Sequence, residues 1–527
     1  MDFSQPYPSR RPPLLARNVV ATSQPLASQA GVAALQAGGN AVDAALAAAI
    51  TLTVVEPTGN GIGSDAFAIV WDGRELHGLN ASGRSPSSWT PERFASQGAV
   101  PERGWDSVTV PGAVSAWVEL SGRFGVLPFE RLFESAVRYA REGYLVSPQV
   151  ARLWAMAAAK FSDFAEFRRG FLPSGKAPSP GELFRYPDQA ATLERIASSN
   201  GEEFYRGELA ARMAADAAAN GAALNEQDLA EHRADWVGTV AGEFGEVALH
   251  EIPPNGQGLA ALLALGILRH LPIADFEVDS ADSIHLQVEA MKLAFADAYR
   301  YVADAEALEL HPGELLDDGY LAERARLVDP ASAGDPGYGR PADSGTVYLC
   351  AADAGGMMVS FIQSNYRGFG SGVVVPGTGI SLQNRAAGFT LEPGHPNRLG
   401  GGKRPFHTII PGFLMRAGDP LLAFGVMGGP MQPQGHLQMV LRTVLHGQNP
   451  QAACDAPRWQ VLRGREVAVE PGFPGRTLDE LSARGHLLRR TAPEESFAFG
   501  GGQLAWRGPE GYVAASDPRK DGQAAGF

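Results

Sequence analysis

Residues 331–349 run ASAGDPGYGRPADSGTVYL. The first fifteen are Gly, Pro and small polar residues with almost no capacity to build a core, so they are predicted to form a surface linker. The chain then changes character. Residues 346–349 and 357–363 alternate as two β-strands joined by the polar DAGG turn at 353–356, an antiparallel pairing in which Thr346 heads the first strand. A hydroxyl at that place is a candidate nucleophile, although the geometry alone is a weak signal.

Working outward, residues 25–38 read as a short helix of small residues that ends at Gly38, Gly39 and Asn40, and 41–54 as an apolar, Ala-rich second helix. The segment PTGNGIGSDAFAIV (57–70) passes from a turn into a strand. Its glycines lack the spacing and strand-before-helix setting of a dinucleotide fingerprint, which makes them structural. Further helices are predicted after the Pro-Gly turn of VPGAVSAWVEL at Val110, over 132–141, and over 285–299, where apolar residues recur three and four apart and His285 is a packing residue. The polar stretch 152–235 reads as short helices and loops at the periphery. GFGSGVVVPGTG (368–379) forms a turn at a pocket edge, since the Lys-Ser/Thr ending of a phosphate-binding loop is absent.

Composition narrows the class of function. The chain has 527 residues, 45% hydrophobic and 19% charged, as in a folded enzyme, and its net charge of −14 opposes nucleic-acid binding. Cys350 and Cys454 are the two cysteines, too few for a thiolate zinc cluster and most simply two buried thiols. Arg10 and Arg11 are not followed by a signal-peptide core, and the apolar run 41–55 carries Asp43 and falls short of a membrane span. A cytoplasmic protein with no membrane association is expected. His407 and His436 lack metal-ligand spacing, so no metal and no cofactor is expected.

Several motifs in order carry a resemblance: AGGNAVDAA (37–45), VPGAVSAW (110–117), PPNGQG (253–258), EAMKLAFAD (289–297), DSGTVYL (343–349), NRAAGF (384–389), GKRPFHTIIP (402–411), GVMGGPMQPQGH (425–436) and DPRKDG (517–522). Together they resemble the gamma-glutamyltransferase family of N-terminal-nucleophile hydrolases, nearer its acylase-like branch, over nearly the whole chain. The resemblance implies an α+β fold, a four-layer αββα sandwich. It implies self-cleavage between Gly345 and Thr346, giving segments 1–345 and 346–527 that stay together as one interdigitated body. The exposed α-amine of Thr346, with a reference pKa of about 8, would take the proton of its own hydroxyl. By the same resemblance Ser364 positions the nucleophile and Gly428 and Gly429 supply backbone donors to the oxyanion.

For the substrate, the resemblance points to Tyr366, Arg385, Arg404, His407 and Thr408. Ser82 stands where the family has an arginine, with Arg84 nearby as a substitute. Gly388 replaces the aspartate that holds a glutamyl ammonium in the family, and glycine offers no charged acceptor. The first expectation is a gamma-glutamyltransferase-like amidohydrolase or acyltransferase, hydrolysis favoured over transfer, using a small-molecule amide donor and water or an amine acceptor. The alternatives are an acylase for glutaryl-like or other non-glutamyl donors and an unprocessed binding protein of the same fold. A homo-oligomer is left open.

Overall fold

The structure, a computed structural model, describes residues 11–336 and 345–527. The Pro-rich opening through Arg10 and residues 337–344 of the expected linker lie outside the described residues. Two seven-stranded sheets form the centre, and their strand pairs are antiparallel throughout. One holds the strand Gly345–Ala352 between Val19–Thr22 and Met358–Tyr366, with Asp65–Trp71 next to the latter. The other is centred on Gly412–Arg416 and Asp419–Val426.

Side-chain alternation shows why the layers stack. Along Gly345–Ala352, Val347, Leu349 and Ala351 enter a core shared with the helices Pro25–Gln36, Ala41–Val55 and Ala113–Phe124, whereas Tyr348, Cys350 and Ala352 enter a second core between the sheets. Asp65–Trp71 divides the same way, with Ala66, Ala68 and Val70 outward and Phe67, Ile69 and Trp71 inward. On the second sheet, Leu422, Phe424 and Val426 face a third core under the helices Gly258–Leu268, Ala281–Tyr301 and Met431–Val440, while Ala423 faces the intersheet space. Three cores separate four layers, the αββα sandwich implied by the resemblance.

The two helices predicted near the N-terminus stand at Pro25–Gln36 and Ala41–Val55; the second is capped by Asn40, whose side chain accepts from Val42 and Asp43. The predicted helix at 285–299 is longer, Ala281–Tyr301, and begins at the Ser280 cap. Both strands after the linker also run further than the sequence pattern indicates, because burial of every residue in Met358–Tyr366 removes the alternation that marks a strand's end.

The region 152–235 departs from expectation. It does form short helices, but Trp154, Phe161, Phe167, Phe171, Phe184, Leu193 and Met213 belong to the first core. Phe161, Phe167 and Phe171 pack together with Phe369. Aromatic residues six and four apart, within the stretch read as peripheral, form one buried cluster. Cys350 and Cys454 are buried free thiols. Among the described residues no helix is long and apolar enough to cross a membrane.

Candidate active site

Thr346 is the second residue of its strand and 4% exposed. Gly345 pairs with Tyr366 and Val347 with Gln363, so the partner strand passes two residues, Ser364 and Asn365, where this one passes Thr346 alone. Such a bulge re-aims side chains at a strand end. Ser364 Oγ lies 3.3 Å from Thr346 Oγ1 and accepts the Tyr366 N–H at 2.7 Å. Tyr366 adopts φ of 75°, a left-handed conformation that costs a bulky residue about 1–3 kcal/mol. Asn365 ties the bulge to the glycine turn that follows Ala41–Val55: its N–H donates to Gly59 O at 3.1 Å, and Ser64 Oγ donates to its Oδ1 at 2.8 Å.

Gly428 and Gly429 link Asp419–Val426 to the helix Met431–Val440 with φ of 121° and 59°, a turn that side-chain-bearing residues resist. Their carbonyls accept from Met431 at 3.1 Å and Gln432 at 3.0 Å, and Gln257 Nε2 donates to Gly429 O at 2.8 Å. Among the described residues neither glycine N–H has an acceptor. The positive end of the helix dipole adjoins the pair.

Arg385 opens the short turn Arg385–Gly388 and is fully buried. Its Nη1 donates to Thr408 Oγ1 at 2.8 Å, and its guanidinium sits 4.3 Å from the centroid of the Tyr366 ring. Among the described residues Nε and Nη2 have no hydrogen-bond partner. Asp65 Oδ2 approaches Nε only to 3.9 Å and is instead 3.1 Å from His407 Nε2, while Asp65 Oδ1 accepts the Gly83 N–H at 3.0 Å. Burial lowers the Arg385 pKa to about 10 and raises that of Asp65 to about 7, the latter against the pull of Arg385. Burial first, then Arg385 and Arg404, hold His407 far below its ordinary pKa and therefore neutral. Its Nδ1 accepts from Ile409 at 3.4 Å, which leaves the ring proton on Nε2 facing Asp65.

Gly388 is more than a missing side chain. A Cβ there would stand 2.6 Å from Phe406 O, so the backbone closes the space an aspartate needs. Arg404 is occupied elsewhere: its guanidinium bonds Asp235 at 2.6 Å, Ser82 O at 2.8 Å and Arg233 O at 3.2 Å. Arg84 pairs with Asp304 at 3.2 Å, and Ser82 Oγ donates to Asn80 Oδ1 at 2.7 Å. The structure thus brings Thr346, Ser364, Tyr366, Arg385, Thr408 and His407 into one connected set through Asp65, and Thr346 and Gly428 both line one cavity. Arg84 and Arg404 brace the scaffold around it.

That cavity, about 700 Å³, has the helix Pro148–Lys160 along another side, contributing Arg152, Leu153, Met156, Ala157 and Lys160. Arg385, Tyr366, His407 and Thr408 do not line it. Two carboxylates escaped the sequence reading. Asp65 is a charge inside an apolar strand, which was its only signal. Glu56 caps the Ala-rich helix and lines the cavity; Ser23 Oγ donates to it at 2.5 Å, and burial raises its pKa to about 7. Burial brings nearby Lys520, from the DPRKDG motif, down to about 7. His436 bonds Glu251 at 2.6 Å. His285, Glu289 and His486 place ligand-type atoms together; His285 and His486 bond each other at 2.8 Å and Lys292 bonds Glu289 at 2.7 Å, while His486 Nδ1 has no partner among the described residues.

The family model described as Gamma-glutamyltranspeptidase matches residues 27–527. The chain belongs to this family. It lies in the gamma-glutamyltranspeptidase/acylase branch of the N-terminal-nucleophile hydrolases, enzymes that act on amides by hydrolysis or acyl transfer. The oxamate amidohydrolase proenzyme of Klebsiella pneumoniae is 38% identical over 520 residues, covering 95% of this chain and 97% of the relative. The glutathione hydrolase-like YwrD proenzyme of Bacillus subtilis is 34% identical over 520 residues, covering 97% and 98%. Among solved structures, the cephalosporin acylase from Bacillus halodurans is 49% identical with a TM-score of 0.95, covering 100% of this chain and 99% of that one.

Proposed function

We propose that this protein is an N-terminal-threonine acylase that hydrolyses amides whose acyl chain ends in a carboxylate. The observation that carries the reading is Arg385: a buried guanidinium with Nε and Nη2 unpartnered among the described residues. An acyl carboxylate would supply the missing acceptor, and a charge-assisted pair of this kind is strong in a dry site. The gamma-glutamyl reading is weaker here. The space for the ammonium's aspartate is closed at Gly388, and the carboxylate that could compensate, Asp65, is turned to His407 and Gly83. Relatives named as acylases and as an oxamate amidohydrolase support the same preference.

In the proposed maturation, Thr346 Oγ attacks the Gly345 carbonyl, the C–N bond breaks, and the hydroxyl proton passes to the departing nitrogen. Water then hydrolyses the ester, leaving the Gly345 carboxylate and a Thr346 α-amine. In turnover that amine takes the Oγ proton as Oγ attacks the substrate amide, with Ser364 fixing the hydroxyl's direction. The Gly428 and Gly429 N–H groups hold the oxyanion. The proton passes to the leaving amine, and water, deprotonated by the same α-amine, releases the acid. Relatives named as proenzymes support cleavage.

The test is intact-mass measurement with N-terminal sequencing, followed by matched anilide donors. A fragment beginning at Thr346 and preference for glutaryl over gamma-glutamyl and butyryl donors are expected. An uncleaved chain would favour the binding-protein reading, and a gamma-glutamyl preference would restore the transferase reading.

A further inference from the structure

The glycine turn at 428–429 is braced by a side chain that the proposed chemistry leaves unused. Gln257, in the PPNGQG motif just ahead of the helix Gly258–Leu268, is fully buried. Its Nε2 donates to Gly429 O at 2.8 Å and to Thr408 O at 2.5 Å. An amide nitrogen carries two protons, so both are committed to backbone carbonyls. Gly429 ends the turn, and Thr408 holds Arg385 through its Oγ1. The loop that carries Gln257 is stitched to the same segment as Thr408: Gln257 N–H donates to His407 O and His407 N–H to Asn255 O, both at 2.9 Å, and Asn255 Nδ2 donates to Pro405 O at 2.7 Å. Gln432 Oε1, in the first turn of Met431–Val440, accepts the Ile410 N–H at 2.9 Å. Segment 405–410 and the glycine turn are thus joined, and Gln257 bonds the backbone of both.

The glycines make such bracing necessary. At φ of 121° and 59°, Gly428 and Gly429 have no Cβ to limit rotation, whereas an oxyanion site works only when its N–H groups already point to where the charge develops. The bonds from Met431 and Gln432 to the two glycine carbonyls belong to the start of the following helix, so they fix the turn to that helix and not to the rest of the site. Met427 N–H, donating to Gly501 O at 3.1 Å, anchors the entry of the turn. The bond from Gln257 anchors its exit. We propose that Gln257 is a positioning residue for the reaction: it fixes the direction of the Gly428 and Gly429 N–H groups against the segment that carries Thr408. The inference rests on the reading of these two glycines as oxyanion donors and is independent of which acyl chain the protein takes.

The experiment compares Gln257→Met, which keeps the length and loses the donor, with Gln257→Glu, whose carboxyl donates one bond when protonated and none when ionised. Both are assayed after intact-mass measurement confirms cleavage before Thr346; were Gln257→Met to stay uncleaved, the Glu variant at low and high pH carries the same comparison. In Gln257→Met, kcat should fall about 10- to 100-fold on glutaryl and butyryl anilides alike. Affinities separate positioning from scaffolding. The boronate analogue of the glutaryl group, 4-boronobutanoate, mimics the tetrahedral intermediate: Thr346 Oγ adds to boron, its proton passes to the α-amine, and the boron becomes anionic. Glutarate, the acid product, has the same chain without that adduct. The Met variant should lose boronate affinity by the same factor as kcat and keep glutarate affinity within about twofold. The activity of the Glu variant relative to wild type should fall as pH rises, because ionisation turns a donor into a charge facing two carbonyls. Unchanged kcat, an equal loss of boronate and glutarate binding, or a Glu variant without the pH trend would overturn the positioning role. A wild-type protein that forms no boronate adduct would refute the oxyanion reading itself, and one that binds the boronate but not glutarate would refute only the acyl reading, so the failures are distinguishable.

Discussion

The two sides of Thr346 are built on opposite principles. The Arg385 side is closed and polar, every member is buried, and the guanidinium is held by Thr408 Oγ1 and the Tyr366 ring, with Asp65 3.9 Å from its Nε. The cavity side is roomier, about 700 Å³, with Arg152, Lys160 and Arg489 exposed and the helix Pro148–Lys160 along one side. A buried charge discriminates steeply because an unmatched group there costs its full desolvation. Exposed charges of the cavity select by small, salt-sensitive increments. A group held at the Arg385 side is thus expected to be specified sharply and one that enters the cavity broadly.

The largest effect that would break this picture lies at the nucleophile itself. Thr346→Ala should abolish self-cleavage and lower kcat/KM by more than about 10³-fold; normal processing on a denaturing gel would remove Thr346 from maturation. Next comes the closed side. Arg385→Met should lower kcat/KM for a glutaryl anilide by about 10- to 100-fold, the worth of a charge-assisted bond, and affect a butyryl anilide far less. Similar losses on both donors would mean that Arg385 only supports the fold.

Gly388→Asp, the substitution that restores the family's acidic residue, should not restore gamma-glutamyl preference. With its Cβ 2.6 Å from Phe406 O, it should instead destabilise by about 1–3 kcal/mol, read as a lower denaturation midpoint. A stable variant that gains gamma-glutamyl turnover would contradict the argument.

The smallest effect is a pH dependence. With its pKa raised to about 7, Asp65 is protonated below that pH and leaves the charge of Arg385 to the substrate; above it, the ionised carboxylate competes. The other groups facing it, Arg385, Arg404 and neutral His407, keep their charge states across this interval. KM for the glutaryl donor, divided by that for the butyryl donor to cancel titration of the Thr346 amine, should rise between pH 6 and 8 by at most about tenfold per unit. Asp65→Asn should flatten the ratio; an unchanged slope would place the titrating group elsewhere.

The sequence by itself was enough for the family, and it named the candidate nucleophile, the paired glycines and the residues of the proposed acyl anchor, because each is a local motif whose order along the chain carries the signal. It also marked Gly388 as a lost acidic contact. What it could not contain is which charges meet. Asp65, 320 positions from Arg385 in the chain, faces it only because the strand Asp65–Trp71 lies beside Met358–Tyr366, from which the chain turns back. Arg84 and Arg404 match the expected charge yet are drawn to Asp304 and Asp235 by contacts that no spacing announces. The cavity wall follows the same logic. Residues 152–160 read as peripheral because they open the longer stretch 152–235, which is polar as a whole, and only packing of Trp154 and Phe161 into the core turns Met156, Lys160 and Arg152 toward Thr346's cavity. Motifs fix identity through neighbours in sequence, whereas a site's charge balance is fixed by neighbours in space, and those are set by the tertiary fold.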